Sequence, residues 1–263
     1  MTSEITWVSL LIYLSYKTST NDEGSGMEPY IFLIIAFLDS LISAVFGLGS
    51  GFIVLSFGSL FIPIKDCIAL TTILFMASTF TKTILYRQHI NWRLSATIAL
   101  GSLPFSWLGA ETLATINPEP LRPLLSGFII LSVIISTLGL KLSLPQRTSI
   151  ALGVAALYGY VSGLLSSGNP IKALALDRMG FEKQSFIGVM AATALGVNTT
   201  KLISYSDNSI LRAEHYPIGT ALIIISIASA LIGKKLIYKI ENHRYKQGLS
   251  IILIFSAIIL LFK

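Results

Sequence analysis

Two stretches rich in glycine and serine interrupt apolar segments of the chain. The first break covers residues 47–51 (Gly-Leu-Gly-Ser-Gly), and the second break covers residues 166–170 (Ser-Ser-Gly-Asn-Pro). Glycine tolerates unusual backbone angles and proline lacks an N–H group, so we expect helices to stop at both breaks. The N–H groups that are freed where a helix starts again attract anions, helped by the helix dipole. The two breaks therefore predict a site for a small anion. Close packing of helices, which small residues also promote, is the alternative.

Polar residues on the helices that follow the breaks extend this candidate site. Thr79 and Lys82 lie three residues apart and therefore on one helical face. Lysines inside apolar helices are candidates for function. Because Lys82 and Lys201 lie near helix ends, the alternatives are that their ammonium groups snorkel to the interface or form structural pairs. We predict that Tyr86 and Tyr205 belong to an interfacial aromatic belt. The candidate binding residues are Gly47, Gly49, Ser50, Gly51, Thr79, Lys82, Ser166, Ser167, Gly168, Asn169, Asn198 and Lys201.

A single acidic residue, Asp39, lies in the middle of the apolar segment before the first break. A buried carboxylate either carries a proton, as a coupling group, or forms a structural ion pair with a lysine such as Lys82. Lys172, just after the second break, is a further candidate cation. We predict no catalytic residue, cofactor or metal site, because the chain has no CxxC or HExxH motif and its three histidines lie in or beside predicted loops.

The composition is that of a membrane protein. Of the 263 residues, 53% are hydrophobic and 12% are charged, whereas soluble domains carry roughly 25% charged residues. Apolar runs of about 20 residues recur along the chain, as in helices that span a bilayer. The formal net charge of +6 lies mainly in short loops, where it reports orientation rather than binding of nucleic acid. The sequence predicts an all-α polytopic membrane protein.

The chain also matches itself at an offset of 119 residues. This duplication predicts half one (residues 30–144) and half two (residues 145–263), preceded by a short apolar segment and a polar linker (residues 1–29). We expect each half to contain a broken helix or re-entrant hairpin and three long helices. Residues 5–16 form either a short interfacial helix or an additional span. The matched pairs include Thr81 with Thr200, Lys82 with Lys201, Tyr86 with Tyr205, and Arg93 with Arg212.

The charges of the loops indicate how the two halves are oriented. Three loops are basic (87–93, 141–147 and 234–246), whereas residues 17–28 and 206–214 contain most of the acidic loop residues. An inverted repeat puts the three basic loops on the cytoplasmic side, as the positive-inside rule requires. A parallel repeat would put the two most basic loops on opposite sides. The sequence therefore favours inverted repeats, the arrangement of many transporters.

Several motifs resemble those of the TauE/SafE sulfite exporter family. They are residues 46–52 (Phe-Gly-Leu-Gly-Ser-Gly-Phe), Pro63, residues 69–72 (Ala-Leu-Thr-Thr) and residues 91–93 (Asn-Trp-Arg), with a degenerate counterpart at residues 163–170. In that counterpart, serines, asparagine and proline stand where the family usually has glycines. The resemblance implies a multipass transporter in the bacterial inner membrane that exports small sulfur-containing or organic anions.

The sequence thus predicts a secondary transporter for a sulfite-like or sulfonate-like anion, working by alternating access between the two broken helices. Its expected partners are the anion, protons as a coupling ion through Asp39, and the lipid bilayer. An anion channel, a membrane enzyme and a non-transporting assembly subunit are the alternatives. A channel would line its pore with repeated polar rings, which the sequence lacks, and an enzyme would need a convergent catalytic set.

Overall fold

A computed structural model of the protein describes residues 28–46, 51–137 and 147–237. The predicted segment at residues 5–16 and the predicted last span at residues 247–262 lie outside this part. Within it, the regular elements are all helical, which confirms the predicted all-α class. The α-helices are α1 (Glu28–Phe46), α2 (Phe52–Gly58), α3 (Ile64–Leu85), α4 (Trp92–Thr115), α5 (Leu121–Thr137), α6 (Thr148–Leu165), α7 (Asn169–Arg178), α8 (Lys183–Asp207) and α9 (Tyr216–Ile237). Two 3-10 helices, Arg87–His89 and Ala213–His215, precede α4 and α9.

Local sequence explains where several helices begin. Pro63 immediately precedes α3. The side chain of Asn91 accepts a hydrogen bond from the Leu94 N–H at 3.1 Å and so caps α4, which continues through Pro104. Pro170 stands in the first turn of α7, where its missing N–H leaves no helical hydrogen bond unmade. The apolar segments of the sequence predict these helices at residues 67–87, 93–115 and 171–179, within a few residues of the observed limits.

The surface of the helix assembly is apolar and its interior is unusually polar. Four helical segments are long and apolar enough to cross a membrane: α3, α6, α8 and residues Ala213–Ile237. The 24-residue helix α4, also predicted as a span, is not among them. Leu100 and Ile34 are 67% and 61% exposed, whereas many serines, threonines and three lysines are buried. This distribution reverses that of a soluble protein and suits an exterior of lipid.

Helices α3 and α8, which occupy matched positions in the two predicted halves, pack against each other and run antiparallel. Near the start of α3, Asp66 forms an ion pair with Arg212, just beyond the end of α8, at 3.1 Å. Thirteen residues further along α3, Thr79 accepts a hydrogen bond from Asn198, inside α8, at 3.3 Å. Later residues of α3 therefore contact earlier residues of α8, as they must when two helices are antiparallel.

The first helix of each predicted half packs against the other half. Helix α6 lies on α4, and α1 lies on α9. Small residues permit both contacts. A Cβ atom on Gly163 of α6 would lie 2.2 Å from the Ser106 carbonyl oxygen of α4, and one on Gly233 of α9 would lie 2.4 Å from the Ala44 Cβ atom of α1. Because such short distances leave no room for a side chain, these backbones approach closely. The two halves are consequently interlocked.

Candidate functional site

The second break separates α6 from α7. Helix α6 ends at Leu165, and Ser166 adopts a left-handed conformation with φ 54°. Gly168 precedes α7, and a Cβ atom there would lie 2.5 Å from the Tyr158 carbonyl oxygen. The chain can therefore turn back against α6 only because residue 168 has no side chain.

Ser166 connects this break to two other helices. Its hydroxyl accepts a hydrogen bond from the Lys201 Nζ atom of α8 at 3.0 Å and lies 2.8 Å from the Thr72 Oγ1 atom of α3. The Thr72 hydroxyl donates to the Ile68 carbonyl oxygen at 2.9 Å, so the Ser166 hydroxyl donates to Thr72. Ser166 thereby uses its donor on Thr72 and orients the ammonium group of Lys201.

The first break is described at one residue, Gly51; the candidate residues Gly47, Gly49 and Ser50 lie outside the described ranges. Gly51 has φ 105°, and its N–H donates to both carboxylate oxygens of Asp39 at 3.1 Å. Lys82 donates to the Ser43 hydroxyl at 2.7 Å and to the Ser43 carbonyl oxygen at 3.1 Å. Asp39 is fully buried and interacts electrostatically with Lys82, although the two groups form no direct ion pair among the described contacts.

The described ends of the two breaks lie next to each other. The Ser167 Oγ atom lies 3.2 Å from the position that a Cβ atom would take on Gly51, and the Phe75 ring is 2.6 Å from that position. Ser167 is fully buried, and its hydroxyl has no hydrogen-bond partner within the part of the chain that the structure describes. A buried polar group without a partner is unfavourable, so this hydroxyl is available to a ligand.

A cavity lies between α3, α8 and the second break. Its volume is about 20 Å³, enough for roughly one water molecule. Three pairs of matched positions line it: Ser43 with Ser162, Phe75 with Ala194, and Thr79 with Asn198. The other polar groups of its wall come from Ser78, Lys82, Tyr158, Ser166 and Asn169.

Lys172 is the third buried lysine. It is fully buried, donates to the Met190 carbonyl oxygen at 2.8 Å, and lies over the Tyr158 ring at 4.2 Å from the ring centre. The carbonyl oxygen and the face of the aromatic ring both favour a cation there. Lys201 also contributes an electrostatic interaction to Lys172. Half two thus holds two buried lysine side chains that interact electrostatically.

The structure brings most of the candidate residues together. Thr79, Lys82, Ser166, Asn169 and Asn198 line the cavity. Four further candidates adjoin it or the meeting point of the breaks through the contacts above: Gly51, Ser167, Gly168 and Lys201. Five polar residues of this region were not among the sequence candidates: Ser43, Thr72, Ser78, Tyr158 and Ser162. The matched serines had a signal in the sequence, because they coincide at the 119-residue offset within apolar segments.

Two expectations about exposure are wrong. The tyrosines predicted for an interfacial belt are buried: Tyr86 is 3% exposed and Tyr205 is 0% exposed. The Tyr205 hydroxyl donates to the Gly163 carbonyl oxygen, which draws the side chain inward. The alternative of snorkelling lysines is also wrong, since Lys82 and Lys201 are 6% and 0% exposed. Polar acceptors inside the assembly hold both ammonium groups there.

Comparisons with known proteins identify the family. The family model described as Sulfite exporter TauE/SafE matches residues 32–260. A probable membrane transporter protein of Methanocaldococcus jannaschii is 28% identical over 246 residues, which cover 85% of this chain and 91% of that protein. No solved structure matches the chain. The family match covers most of the chain and agrees with the apolar exterior, and the protein is therefore an integral membrane protein that belongs to the TauE/SafE sulfite exporter family.

Proposed function

We propose that the protein is a secondary transporter that exports a small sulfur-containing or organic anion, such as sulfite or a sulfonate, from a site between the two breaks. The observation that carries this proposal is the imbalance of buried ionisable side chains. Three lysines (Lys82, Lys172 and Lys201) are buried, against one buried carboxylate, Asp39, in the described ranges. Buried charges need partners, so this surplus favours an anionic ligand. The family name supports export of a sulfite-like anion, and the relative's description as a probable membrane transporter supports transport across a membrane.

We further propose that residues 30–144 and 145–263 are inverted repeats. The antiparallel course of α3 and α8 supports this, because two equivalent helices run in opposite directions. The hydrogen bond between Thr79 and Asn198 joins residues that are 119 positions apart, the offset of the sequence repeat. Equivalent residues touch where a two-fold axis passes between them. The pairing of α6 with α4 matches that of α1 with α9 under the same exchange.

The cavity lies beside this axis, which suits alternating access. Its 20 Å³ holds about one water molecule, so accepting a larger anion requires the halves to move apart. At one end, the ion pair between Asp66 and Arg212 joins α3 to the segment after α8. Opening this end separates that pair. We propose that the anion enters the cavity when one end opens and leaves when the other end does.

Asp39 is our candidate for coupling to protons. Its carboxylate both accepts from the Gly51 N–H and balances the charge of Lys82. A proton bound by Asp39 would remove that balancing charge and change the attraction between Lys82 and the anion. The protein would then respond to a proton gradient across the plasma membrane, the inner membrane of a bacterium.

Flux into liposomes tests this proposal. The purified full chain is reconstituted, and uptake of sulfite and of methanesulfonate is compared with protein-free liposomes, with and without a pH gradient. We expect saturable flux that Lys201→Met reduces at least about tenfold, as loss of a charged hydrogen bond to the ligand predicts. Gly153→Ala is the matched control, because a Cβ atom there meets nothing within 4 Å.

Two outcomes would count against the proposal. Flux that rises linearly with anion concentration and does not depend on the pH gradient would indicate a channel. No flux, combined with no stabilisation of the purified protein by any tested anion, would leave a non-transporting subunit as the better account.

A further inference from the structure

We propose that the anion binds at the second break alone, held by Lys201 and Ser167, and that Asp39 fills the corresponding position of the first break as a built-in anion. This inference rests on the proposed function and names the part of the site that recognises the substrate. The ligand class is a compact oxyanion head group, such as sulfite, a sulfonate or a carboxylate, whose oxygens only accept hydrogen bonds.

The first break already contains its own anion. The Asp39 carboxylate accepts from the N–H of Gly51, the residue that precedes α2, with both oxygens at 3.1 Å. The carboxylate also carries the charge opposite to that of Lys82. The Lys82 ammonium group donates hydrogen bonds to the hydroxyl and the carbonyl oxygen of Ser43. The charges of Asp39 and Lys82 cancel. An external anion here would face a buried carboxylate at close range, which is unfavourable.

The second break lacks this carboxylate. The position that matches Asp39 is Tyr158, whose ring faces Lys172. Lys172 and Lys201 are both fully buried, and the described part of half two contributes no buried acidic residue to balance them. An uncompensated buried charge is strongly unfavourable. Binding of an anion would therefore stabilise half two more than half one.

The donors at the second break are arranged for a ligand. The Lys201 ammonium group has three N–H donors, of which the described contacts use one, on Ser166. The neighbouring Ser167 hydroxyl is buried and has no partner among the described residues, and it faces Gly51 across the gap between the breaks. Because Ser166 already donates to Thr72, it positions Lys201, whereas Lys201 and Ser167 are free to donate to two oxygens of one head group.

Anion-dependent thermal stabilisation of the purified full chain tests the inference, with sodium sulfite and sodium methanesulfonate as probes and sodium chloride as the control salt. Ser167→Ala should raise Tm without anion, because it removes an unsatisfied buried hydroxyl. The same variant should weaken anion affinity about three- to tenfold, as loss of one hydrogen bond to a charged ligand predicts. Ser229→Ala is the matched control: its hydroxyl is equally buried and unpartnered in the described region but lies on α9, so it should raise Tm and leave anion affinity unchanged.

A second pair of variants changes Tyr158, the position that matches Asp39 of half one, with and without adding a carboxylate. Tyr158→Asp supplies a built-in anion beside Lys172 and should abolish the anion-dependent rise in Tm. Tyr158→Asn makes nearly the same change of shape without the charge and should retain more of that rise.

The outcomes separate this inference from the proposed function. If the wild-type protein binds the anions, and Ser167→Ala and Tyr158→Asp bind them as tightly as their controls, the anion lies elsewhere and the inference is overturned while the proposed function stands. If the wild-type protein binds none of the anions, both fail.

Discussion

The first and second breaks occupy matched positions in the sequence, but only the first has a buried carboxylate beside its buried lysine. At the first break, Asp39 accepts the hydrogen bond of Gly51 and balances Lys82. At the second break, Tyr158 replaces the acid. Lys172 and Lys201 are buried and interact electrostatically, without a buried carboxylate among the described residues of half two. On the proposed account, one break is neutral by itself and the other takes an anion from outside.

This difference suggests what duplication contributes to a transporter. Two equivalent halves allow the assembly to open at either end by the same movement. In the proposed site, recognition of the substrate needs only one of the two breaks. Half one then supplies a fixed wall for the site, and half two supplies the charge that selects the ligand.

The largest expected effect comes from removing the acid of the first break. Asp39→Ala leaves Lys82 without a balancing charge and Gly51 without its acceptor. We expect it to lower the free energy of unfolding by about 3–5 kcal/mol, the range for leaving a buried charge uncompensated. Lys201→Met removes an uncompensated charge and should leave that free energy unchanged or higher. Unfolding by denaturant in detergent measures both variants.

The double variant Asp39→Ala, Lys82→Met serves as the control for this contrast. It should recover a large part of the lost stability, because it removes the remaining unpaired charge. Equal destabilisation by Asp39→Ala and Lys201→Met would show that the two breaks do not differ in charge balance, which would contradict the comparison.

A smaller effect is expected from filling the glycine positions of the breaks. Gly51→Ala introduces a side chain at φ 105°, 2.6 Å from the Phe75 ring, whereas Gly168→Ala places one 2.5 Å from the Tyr158 carbonyl oxygen. Each should lower stability by about 1–3 kcal/mol, the usual range for overpacking. A ring can be replaced and a backbone cannot, so Phe75→Leu should partly rescue Gly51→Ala and should not rescue Gly168→Ala.

Gly180→Ala isolates the effect of backbone strain, since Gly180 has φ 78° but nothing lies within 4 Å of its missing Cβ atom. Thermal unfolding of the three glycine variants, and of Gly51→Ala and Gly168→Ala each combined with Phe75→Leu, gives the comparison. If Gly51→Ala destabilises no more than Gly180→Ala does, the first break is not closely packed against Phe75.

The sequence predicted the helices well because apolar length, prolines and caps act locally. Residues such as Pro63, Asn91 and Pro170 limit helices through their own backbone chemistry. The repeat also drew attention to Lys82 and Lys201, since polar residues that recur at a fixed offset within apolar segments are unlikely to face lipid. These features need no knowledge of how the helices pack.

The partners of the lysines could not be predicted in the same way. Symmetry pairs Lys201 with Ser162, because Lys82 binds the matched Ser43. The structure instead pairs Lys201 with Ser166, whose match in half one is Gly47, a residue without a side chain. The burial of Tyr205 was missed for a related reason: its acceptor, the Gly163 carbonyl oxygen, belongs to a helix 42 residues away in the chain. Tertiary packing decides both contacts.

A structure determined with selenite, a heavier analogue of sulfite, tests the central claim most directly, because anomalous diffraction from selenium locates the anion. The account predicts a peak at the second break, with anion oxygens about 2.7–3.2 Å from the Lys201 Nζ and Ser167 Oγ atoms, the usual range for hydrogen bonds. A peak between Lys82 and Ser43, with none beside Lys201, would contradict it.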